Sequence, residues 1–580
     1  MNPETPSTNS GQAKTHSKKS VSTTCQNCKQ EFTIEPEDFV FYEKINVPPP
    51  TWCPECRLRR RIAWISYLEL YKRKCDFTGE QIISMHPPET PYPVYRQDVW
   101  WSDKWDSKSY GRTYDFSKPF FSQLFDLMRV VPMPSLATEY PTMVNSEYCN
   151  AAGYLKNCYL CFAADYSENC AYTHTMSRCK ECFDLSYSND CELSYEVINV
   201  NKSYQAFFSQ DCNECQDVYF SRDLVGCLNC TACINLRNKN YCILNQQYSK
   251  EEYERLFKEF DFGSSKRLKE FRKKAEEFML KYPRKAFHGR HNVDVDGDYI
   301  FNSKNIHNSY MLGNAQDLRY CQLLKSGPAA QSYDYTQFSI NAEWIYESAW
   351  VGLKVSNLKG CYWDYNCTFS EYSIGCHGSN NLFGCVGIRK GEYCILNKQY
   401  AKSDYLAMIE RIKLQMGAMP YKDKLGRTYG YGDFLPAENS IIAYNESLSQ
   451  PFFPLTKEQA IAGGFYWRDP DVHEYQKVTL EPPDHINDVA DDILKAVLKC
   501  EACSRNYRII ESELNFLRRF QFPIPKQCSF CRNFARTRLL NPMFVYNRTC
   551  AKCKKEIKTS YASERPEIVY CEQCYQAEVV

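Results

Sequence analysis

Short runs of aromatic and β-branched residues, separated by Asn, Asp, Ser and Gly, fill the middle of this 580-residue chain. Between positions 146 and 248 these runs share a 21-residue period, which is marked by Cys149, Cys170, Cys191, Cys212 and Cys233. A fixed period of about 20 residues is typical of solenoids, in which each repeat buries its apolar face against its neighbours. Leucine-rich repeats share this period, but their leucine consensus is absent here. The pattern therefore predicts a mainly β fold, a parallel β-helix-like solenoid with 21-residue coils.

The predicted solenoid is duplicated. YCILNQQYSKEEYERL at 241–256 recurs as YCILNKQYAKSDYLAM at 393–408, a 152-residue offset. A helical pattern follows each copy, at 250–281 and at 402–416, and such helices would cap the open end of a solenoid. We therefore expect solenoid block 1 at 146–248, a helical cap and linker at 249–290 and solenoid block 2 at 291–400.

Three sets of paired cysteines lie outside the solenoid blocks. Two sets have the spacing Cys-x2-Cys-x24-Cys-x2-Cys and are related by an offset of 475, and the third has Cys-x2-Cys-x17-Cys-x2-Cys. Two converging Cys-x2-Cys turns supply four thiolates to zinc and leave no position for water. We expect three structural zinc sites, at Cys25, Cys28, Cys53 and Cys56, at Cys500, Cys503, Cys528 and Cys531, and at Cys550, Cys553, Cys571 and Cys574.

The other 20 of the 32 cysteines allow two interpretations. Cys158, Cys161, Cys179 and Cys182 repeat the x2-x17-x2 spacing, so adjacent coils could bridge an additional metal ion. Alternatively, these cysteines fill the solenoid interior as small buried side chains, and the sequence favours this second interpretation.

The net charge of +1 conceals basic ends and an acidic middle. RLRRRIAWISYLELYKRK after Cys56 predicts a helix, on which Arg57 and Arg61 share a face; Arg532 and Arg536 repeat that spacing at the 475-residue offset. Such arginines suit contact with nucleic-acid phosphates, although a solvated helix face paired with acids elsewhere in the chain explains them too. The candidate nucleic-acid-binding residues are Arg57, Arg59, Arg60, Arg61, Arg532, Arg536 and Arg538.

The first module, TCQNCKQEFTIEPEDFVFYEKINVPPPTWCPECRLRRR, resembles the zinc-ribbon domain family of small uncharacterised bacterial proteins. The resemblance covers residues 25–61, with a degenerate second copy at 500–538. The whole layout resembles cysteine-rich repeat proteins of unknown function from metagenomic bacteria. This resemblance implies zinc and a bacterial cytoplasm, and it brings no activity with it.

No apolar run is long enough to cross a membrane, and the N-terminus lacks the apolar segment of a signal peptide, so we expect a cytoplasmic protein without a membrane span. Residues 1–23 read as a disordered tail. The other expected domains are zinc ribbon 1 with its basic helix at 24–74, an aromatic-rich α+β connector at 75–145, a helix and mixed connector at 401–498, zinc ribbon 2 at 499–545 and zinc ribbon 3 at 546–580.

These observations predict a non-enzymatic zinc-binding protein that contacts nucleic acid, RNA or ribonucleoprotein in preference, with the solenoid as spacer or partner surface. The alternative is a protein-interaction scaffold, in which the solenoid is the binding face and the zinc ribbons are structural caps. A hydrolase or lyase with a solenoid groove lined by Asp165, Glu168, Asp184 and Asp190 is a third, less favoured class, because the sequence has no Gly-rich phosphate loop and no His-bearing zinc motif.

Overall fold

The computed structural model describes residues 19–469 and 476–579, and strand residues outnumber helical residues, as predicted for a mainly β protein. Residues 1–18 of the predicted tail lie outside the described ranges, as do residues 470–475 of the predicted connector. Residues 21–23 of the predicted tail belong instead to strand Val21–Thr24, which pairs with Glu31–Ile34.

Stack 1 is a sheet of ten strands that pair in the order in which they occur along the chain. Neighbouring strands are parallel with a 12-residue register, so that Phe183 pairs with Tyr195 and Gln216 with Leu228. Each 12-residue step therefore adds one strand, and the prediction of 21-residue coils is wrong. The strands of stack 1 are Gly153–Lys156, Tyr159–Glu168, Ala171–Ser177, Phe183–Asn189, Tyr195–Ile198, Tyr204–Phe207, Gln216–Tyr219, Leu228–Thr231, Asn240–Ile243 and Gln246–Gln247.

The repeating unit of stack 1 is a triplet. Inward side chains recur at every third position, as in Cys149 and Ala152, and a left-handed backbone recurs two positions after each, as in Ala151, Tyr154 and Asn157. A left-handed residue turns the chain sharply, so that four triplets complete one 12-residue step. Because a 21-residue spacing equals seven triplets, cysteines at that spacing all face inward without lying on neighbouring strands.

Inward side chains also satisfy main-chain groups. The Oγ of Ser188 donates to the carbonyl of Ser186 at 3.0 Å and accepts from the N–H of Val200, one 12-residue step further along, at 3.1 Å. The Sγ of Cys158 donates to the carbonyl of Ser167 at 3.6 Å. Since buried polar groups need hydrogen-bond partners, small Ser and Cys side chains suit the interior.

Stack 2 is a second sheet with the same construction, but it also contains longer steps than stack 1. Two consecutive 13-residue steps run from Ala329 to Ala342 and from Ala342 to Val355. These two steps add two residues in total, so equivalent positions of the stacks are 152 residues apart after them and 150 residues apart at strand Ala329–Thr336, where they begin. Asp334 is therefore the equivalent of Asp184 in stack 1. The strands are Gly289–Arg290, Val293–Phe301, Lys304–Gly313, Ala315–Arg319, Gln322–Leu324, Ala329–Thr336, Ala342–Ala349, Val355–Lys359, Thr368–Glu371, Asn380–Phe383, Glu392–Ile395 and Lys398–Gln399.

Each stack ends in a short antiparallel strand, and helix follows it as the sequence predicted. Tyr253 hydrogen-bonds to Thr231 of stack 1, and Tyr405 packs against Tyr393 of stack 2. These helices cover the last strands, whose edges would otherwise carry unpaired main-chain groups. Their bounds are Lys250–Glu259 and Ser265–Met279 after stack 1, and Lys402–Ala418 after stack 2.

Three small modules contain the paired cysteines, and we call them modules 1, 2 and 3 in chain order. Their hairpins are Val21–Thr24 with Glu31–Ile34, Leu498–Lys499 with Asn506–Tyr507, and Tyr546–Thr549 with Glu556–Thr559. Their helices are Pro36–Lys44 and Pro54–Ile62, Glu511–Phe520 and Ser529–Thr537, and Glu572–Val579. The helix after Cys53 is shorter than the one predicted through Lys74, because Tyr71–Lys74 is a strand.

The remaining elements link the modules to the stacks. Their largest apolar cluster packs the connector against stack 2, as where Phe120 contacts Phe383 with ring centroids 5.1 Å apart. The small sheets pair Tyr71–Lys74 with Gln81–Ser84, Val94–Tyr95 with Met133–Pro134, Arg284–Lys285 with Val569–Tyr570, and Tyr421–Lys422 with Thr428–Tyr429. The other helices are Gln97–Trp100, Phe120–Met128, Ser449–Phe452 and Lys457–Ala462, with 3₁₀ turns at Ser107–Tyr110, Tyr140–Thr142, Ala437–Asn439, Tyr444–Glu446, Ile486–Asp488 and Asp491–Leu494.

Candidate metal centres

The four Sγ atoms of each predicted cysteine set lie within 4.8 Å of one another. The sulfurs of Cys28 and Cys53 are 3.8 Å apart, as are those of Cys503 and Cys528. Four thiolates placed tetrahedrally about 2.3 Å from a zinc ion have sulfurs about 3.8 Å apart. Each of the three sets could therefore hold one metal ion.

The same tight turn positions the first two cysteines of every set. Lys29, Ser504 and Lys554, each at the fourth position after the first cysteine of its set, have a left-handed backbone. Main-chain N–H groups then reach the thiols, as where the N–H of Cys53 donates to the Sγ of Cys25 at 3.2 Å. Such hydrogen bonds favour the thiolate form that metal binding requires.

In the third cysteine set, two opposing effects act on the pKa of a thiol. Burial opposes ionisation of Cys550, but hydrogen bonds from the main-chain N–H groups of Cys571 and Cys553 outweigh it and lower the pKa of Cys550 to about 6. No histidine or carboxylate belongs to any of the three groups found among the described residues. Four thiolates fill a tetrahedral ion completely, so these centres suit a structural role and not a hydrolytic one.

A fourth copy of the turn has lost its other ligands. The N–H of Cys75 donates to the carbonyl of Glu80 at 2.8 Å, and the N–H of Arg96 donates to the Sγ of Cys75 at 3.3 Å, repeating the contacts of Cys25. Thr78 and Arg96 stand where module 1 has its second and third cysteines. This copy, which has one cysteine in place of four, lies in the segment predicted as a connector. The only sequence signal for it is a lone cysteine followed by Gly79.

An ion-pair cluster occupies the surface of this fourth copy. The guanidinium of Arg96 pairs with Glu80 and, in a two-point contact, with Asp98. The cluster holds together the two turns that metal would join in the other modules. We therefore count three candidate metal centres in the described ranges.

Helix Pro54–Ile62 of module 1, one of two docking helices, lies against stack 2 and buries its arginines there. Arg57 and Arg61 each contact Asp334 at 2.9 Å, and Arg60 contacts Glu347 at 2.8 Å. All five of these side chains are buried. Burial opposes the charge of Arg57, but Asp334 and neighbouring groups outweigh it, so the pKa of Arg57 lies well above its usual value.

Helix Ser529–Thr537 of module 2 is the other docking helix, and it makes the equivalent contacts on stack 1. Arg536 contacts Asp184 at 2.7 Å, and Arg532 contacts both Asp184 at 3.1 Å and Glu513 at 2.9 Å. Asp184 and Asp334 are equivalent positions of the two stacks. Each terminal module therefore docks on the stack that is more distant in the sequence.

Aromatic contacts repeat the same crossed arrangement. The ring of Phe41 in module 1 stacks on Tyr333 of stack 2, with centroids 3.8 Å apart. Its counterpart Phe516 in module 2 packs on Phe183 of stack 1, with centroids 4.9 Å apart. The residues that recur at the 475-residue offset therefore include those that dock the modules on the stacks, as well as the metal ligands.

These positions correct the prediction of a nucleic-acid interface. Arg57, Arg60, Arg61, Arg532 and Arg536 are buried in ion pairs and are not available to phosphates. Of the other two candidates, Arg59 pairs with Glu55, and Arg538 is exposed above the ring of Phe534. The sequence could not identify the main partner acids, Asp184, Asp334 and Glu347, because they lie hundreds of residues away along the chain.

The four acids that the sequence suggested as the lining of a solenoid groove have different surroundings in the structure. Asp184 is the buried docking acid, Glu168 pairs with Lys156 at 2.7 Å, and Asp190 pairs with Arg178. Of the four, Asp165 alone lines a large cavity.

The candidates for an additional metal do not form a fourth group. Among the described residues, no set of three ligands that includes Cys158, Cys161, Cys179 or Cys182 lies close enough to share an ion. Their thiols donate to main-chain carbonyls instead, as Cys161 does to Cys170 at 3.4 Å. This geometry favours an interior of packed cysteines.

Comparisons add no name to these modules. A scan against models of known protein families gives no match, and a search of curated proteins gives none either. Within the described ranges, no helix has the length and apolar character needed to cross a membrane.

Proposed function

We propose that the chain is a non-enzymatic scaffold protein, in which zinc-bound modules fasten two β-solenoids of 12-residue coils together and leave the solenoid faces free for binding. The crossed docking of modules 1 and 2 carries this proposal. Closed four-cysteine centres support a structural use of zinc, and reduced thiols support a cytoplasmic location.

Zinc would act on the stacks through the docking helices. Cys53 caps the start of helix Pro54–Ile62, and Cys56 lies in its first turn, directly before Arg57. An ion held by these cysteines would fix the position from which Arg57 reaches Asp334. Removing one partner of a buried ion pair typically costs about 3–5 kcal/mol, so the helix must stay in place for the stack to remain stable.

The test is to remove zinc from the native chain. We expect three zinc ions per chain by elemental analysis, and a large drop in the thermal midpoint when a chelator removes them. Cys28→Ser should lower the zinc content by one ion per chain. The matched control is Cys75→Ser, at the copy of the turn that has a single cysteine, and it should retain all three zinc ions.

Two results would contradict the scaffold. A thermal midpoint that is unchanged by complete zinc removal would show that the modules do not support the stacks. Binding of an RNA or DNA oligonucleotide that weakens steeply with salt would instead favour the nucleic-acid function.

A further inference from the structure

A cavity of about 960 Å³ lies between stack 1, stack 2 and the connector, and we call it the cleft. This volume is at the upper end of the range for small-molecule sites, about 300–1,000 Å³. Left-handed positions of stack 1 supply its wall: Ala151, Ala163, Thr175 and Tyr187 follow one another at 12-residue intervals. The 12-residue register thus places one row of positions from the first coils of the stack against the cleft.

Two tyrosines form an exposed platform at the cleft. Tyr154 and Tyr166, which one 12-residue step separates, stack with ring centroids 4.5 Å apart and an interplanar angle of 10°. They are 44% and 58% exposed. Trp101 is another exposed lining residue, in contact with His377, whereas Trp100 and Trp105 are buried.

Carboxylates lie beside this platform. The Oδ1 of Asp165 accepts from the N–H of Gly153 at 3.0 Å, and the hydroxyl of Tyr154 donates to Glu139 at 3.5 Å. A Cβ atom at Gly153 would lie 3.3 Å from the Cβ of Glu139 and 3.4 Å from the Oδ1 of Asp165, so glycine leaves room for both acids. Burial, together with the charge of Glu139, raises the pKa of Asp165 to about 6.

The floor of the cleft carries further hydrogen-bonding groups. The Nζ of Lys325 donates to the carbonyl of Tyr187 at 3.2 Å. Gln337 is buried, and its amide N–H donates to the hydroxyl of Tyr67 at 2.9 Å, while its carbonyl oxygen has no partner. Lys325 and Gln337 therefore add polar groups to the lining of the cleft.

The charges of the lining disfavour a strongly anionic ligand at the platform. Four acids and four bases line the cleft, and Arg389 is occupied by the carbonyls of Ser102 and Trp105. Burial and the neighbouring Arg389 lower the pKa of His377 to about 3, so that residue is neutral. Glu139 and Asp165 would repel phosphates at the platform, and an apolar ligand would leave them without solvent.

We infer that the cleft binds a neutral oligosaccharide, with sugar rings packed on Tyr154 and Tyr166 and sugar hydroxyls donating to Glu139 and Asp165. The CH faces of a sugar ring pack on aromatic rings, and its hydroxyls suit carboxylate acceptors. This inference rests on the proposed scaffold, because the modules hold in place the two stacks that form the cleft.

The test uses four neutral hexasaccharides, cellohexaose, maltohexaose, xylohexaose and mannohexaose, in calorimetric titrations of the full chain. We expect at least one to bind, and Tyr166→Ala to weaken its binding about tenfold or more, which corresponds to about 1.4 kcal/mol. Phe369→Ala is the matched control: Phe369 is 57% exposed, has the same left-handed backbone and does not line the cleft. It should leave binding unchanged.

The inference is overturned if no hexasaccharide binds at millimolar concentration, or if Phe369→Ala weakens binding as much as Tyr166→Ala does. Stronger binding of hexagalacturonate or of an RNA oligonucleotide would also overturn it. Zinc content and the thermal midpoint of each variant are measured in parallel. A failed scaffold would show in those two quantities, whereas a failed sugar site would leave both as expected.

Discussion

One buried carboxylate at each docking face contacts two arginines, and a second buried acid, Glu513 or Glu347, shares their charge. Asp184 lies between Arg532 and Arg536, and Asp334 lies between Arg57 and Arg61. Charges are buried at a high cost that only good pairing offsets. Loss of either acid would therefore leave buried positive charge uncompensated.

We predict that Asp184→Asn lowers the free energy of unfolding by about 3–5 kcal/mol, because it leaves the buried guanidinium of Arg536 without its carboxylate partner and that of Arg532 with Glu513 alone. Asp190→Asn is the matched control, since Asp190 is also a left-handed residue of stack 1 but forms an exposed ion pair with Arg178. It should cost less than about 1 kcal/mol. Urea denaturation of both variants measures the difference, and equal losses would contradict the role of Asp184.

At the scale of the element, one of the inward-facing positions of stack 2 is occupied by an acid. Cys361, Asp364, Cys367 and Ser370 follow at every third position and are all buried. The Oδ1 of Asp364 accepts from the N–H of Cys376 at 2.8 Å, the role that serine has at other inward positions. Burial raises the pKa of Asp364 to about 7.

We predict that Asp364→Ser stabilises the protein at pH 8 and has much less effect at pH 4. The folded state favours protonated Asp364, so the wild type loses stability as the pH rises from about 4, the unfolded pKa, to about 7, the folded pKa. Each pKa unit is worth about 1.4 kcal/mol. Urea denaturation of both proteins at both pH values isolates the effect, and an equal difference at the two values would contradict it.

The sequence predicted the cysteine sets and the duplicated sheets with their terminal helices, but not the length of a coil. Cys149 and Cys170 both face inward because 21 is a multiple of three. Any coil built from whole triplets allows this spacing, so the spacing alone cannot show that a coil has 12 residues and not 21. The arginines were found, but their role was not, because Asp334 is 277 residues from Arg57. The cleft was missed because three distant segments form it.

At the scale of the whole molecule, the two terminal modules exchange partners. Module 1 is nearer in sequence to stack 1 but docks on stack 2, and module 2 does the reverse. Modules 1 and 2 are thereby each fastened to the more distant stack, whereas module 3 contacts both stacks, through Asp298 of stack 2 and Asp223 of stack 1. Loss of one metal centre should consequently loosen a remote part of the chain.

We predict that Cys28→Ser increases hydrogen exchange about tenfold or more in stack 2 around Tyr333 and Tyr346, which contact Phe41, and little in stack 1. Cys503→Ser should show the opposite pattern, with faster exchange around Phe183. Hydrogen-exchange mass spectrometry resolves the two stacks, with Cys75→Ser as the control. Faster exchange in the stack nearer in sequence would contradict crossed docking.

The crossed arrangement also sets an order for assembly during synthesis. The N-terminal module leaves the ribosome 277 residues before its docking acid, a delay of roughly 15–55 s at about 5–20 residues per second. Over that interval its arginines have no acid to bind, and the aromatic face of stack 1 stays uncovered until the last fifth of the chain emerges. A nascent chain of this kind exposes the docking arginines and the aromatic face throughout that interval, whereas the finished protein buries both.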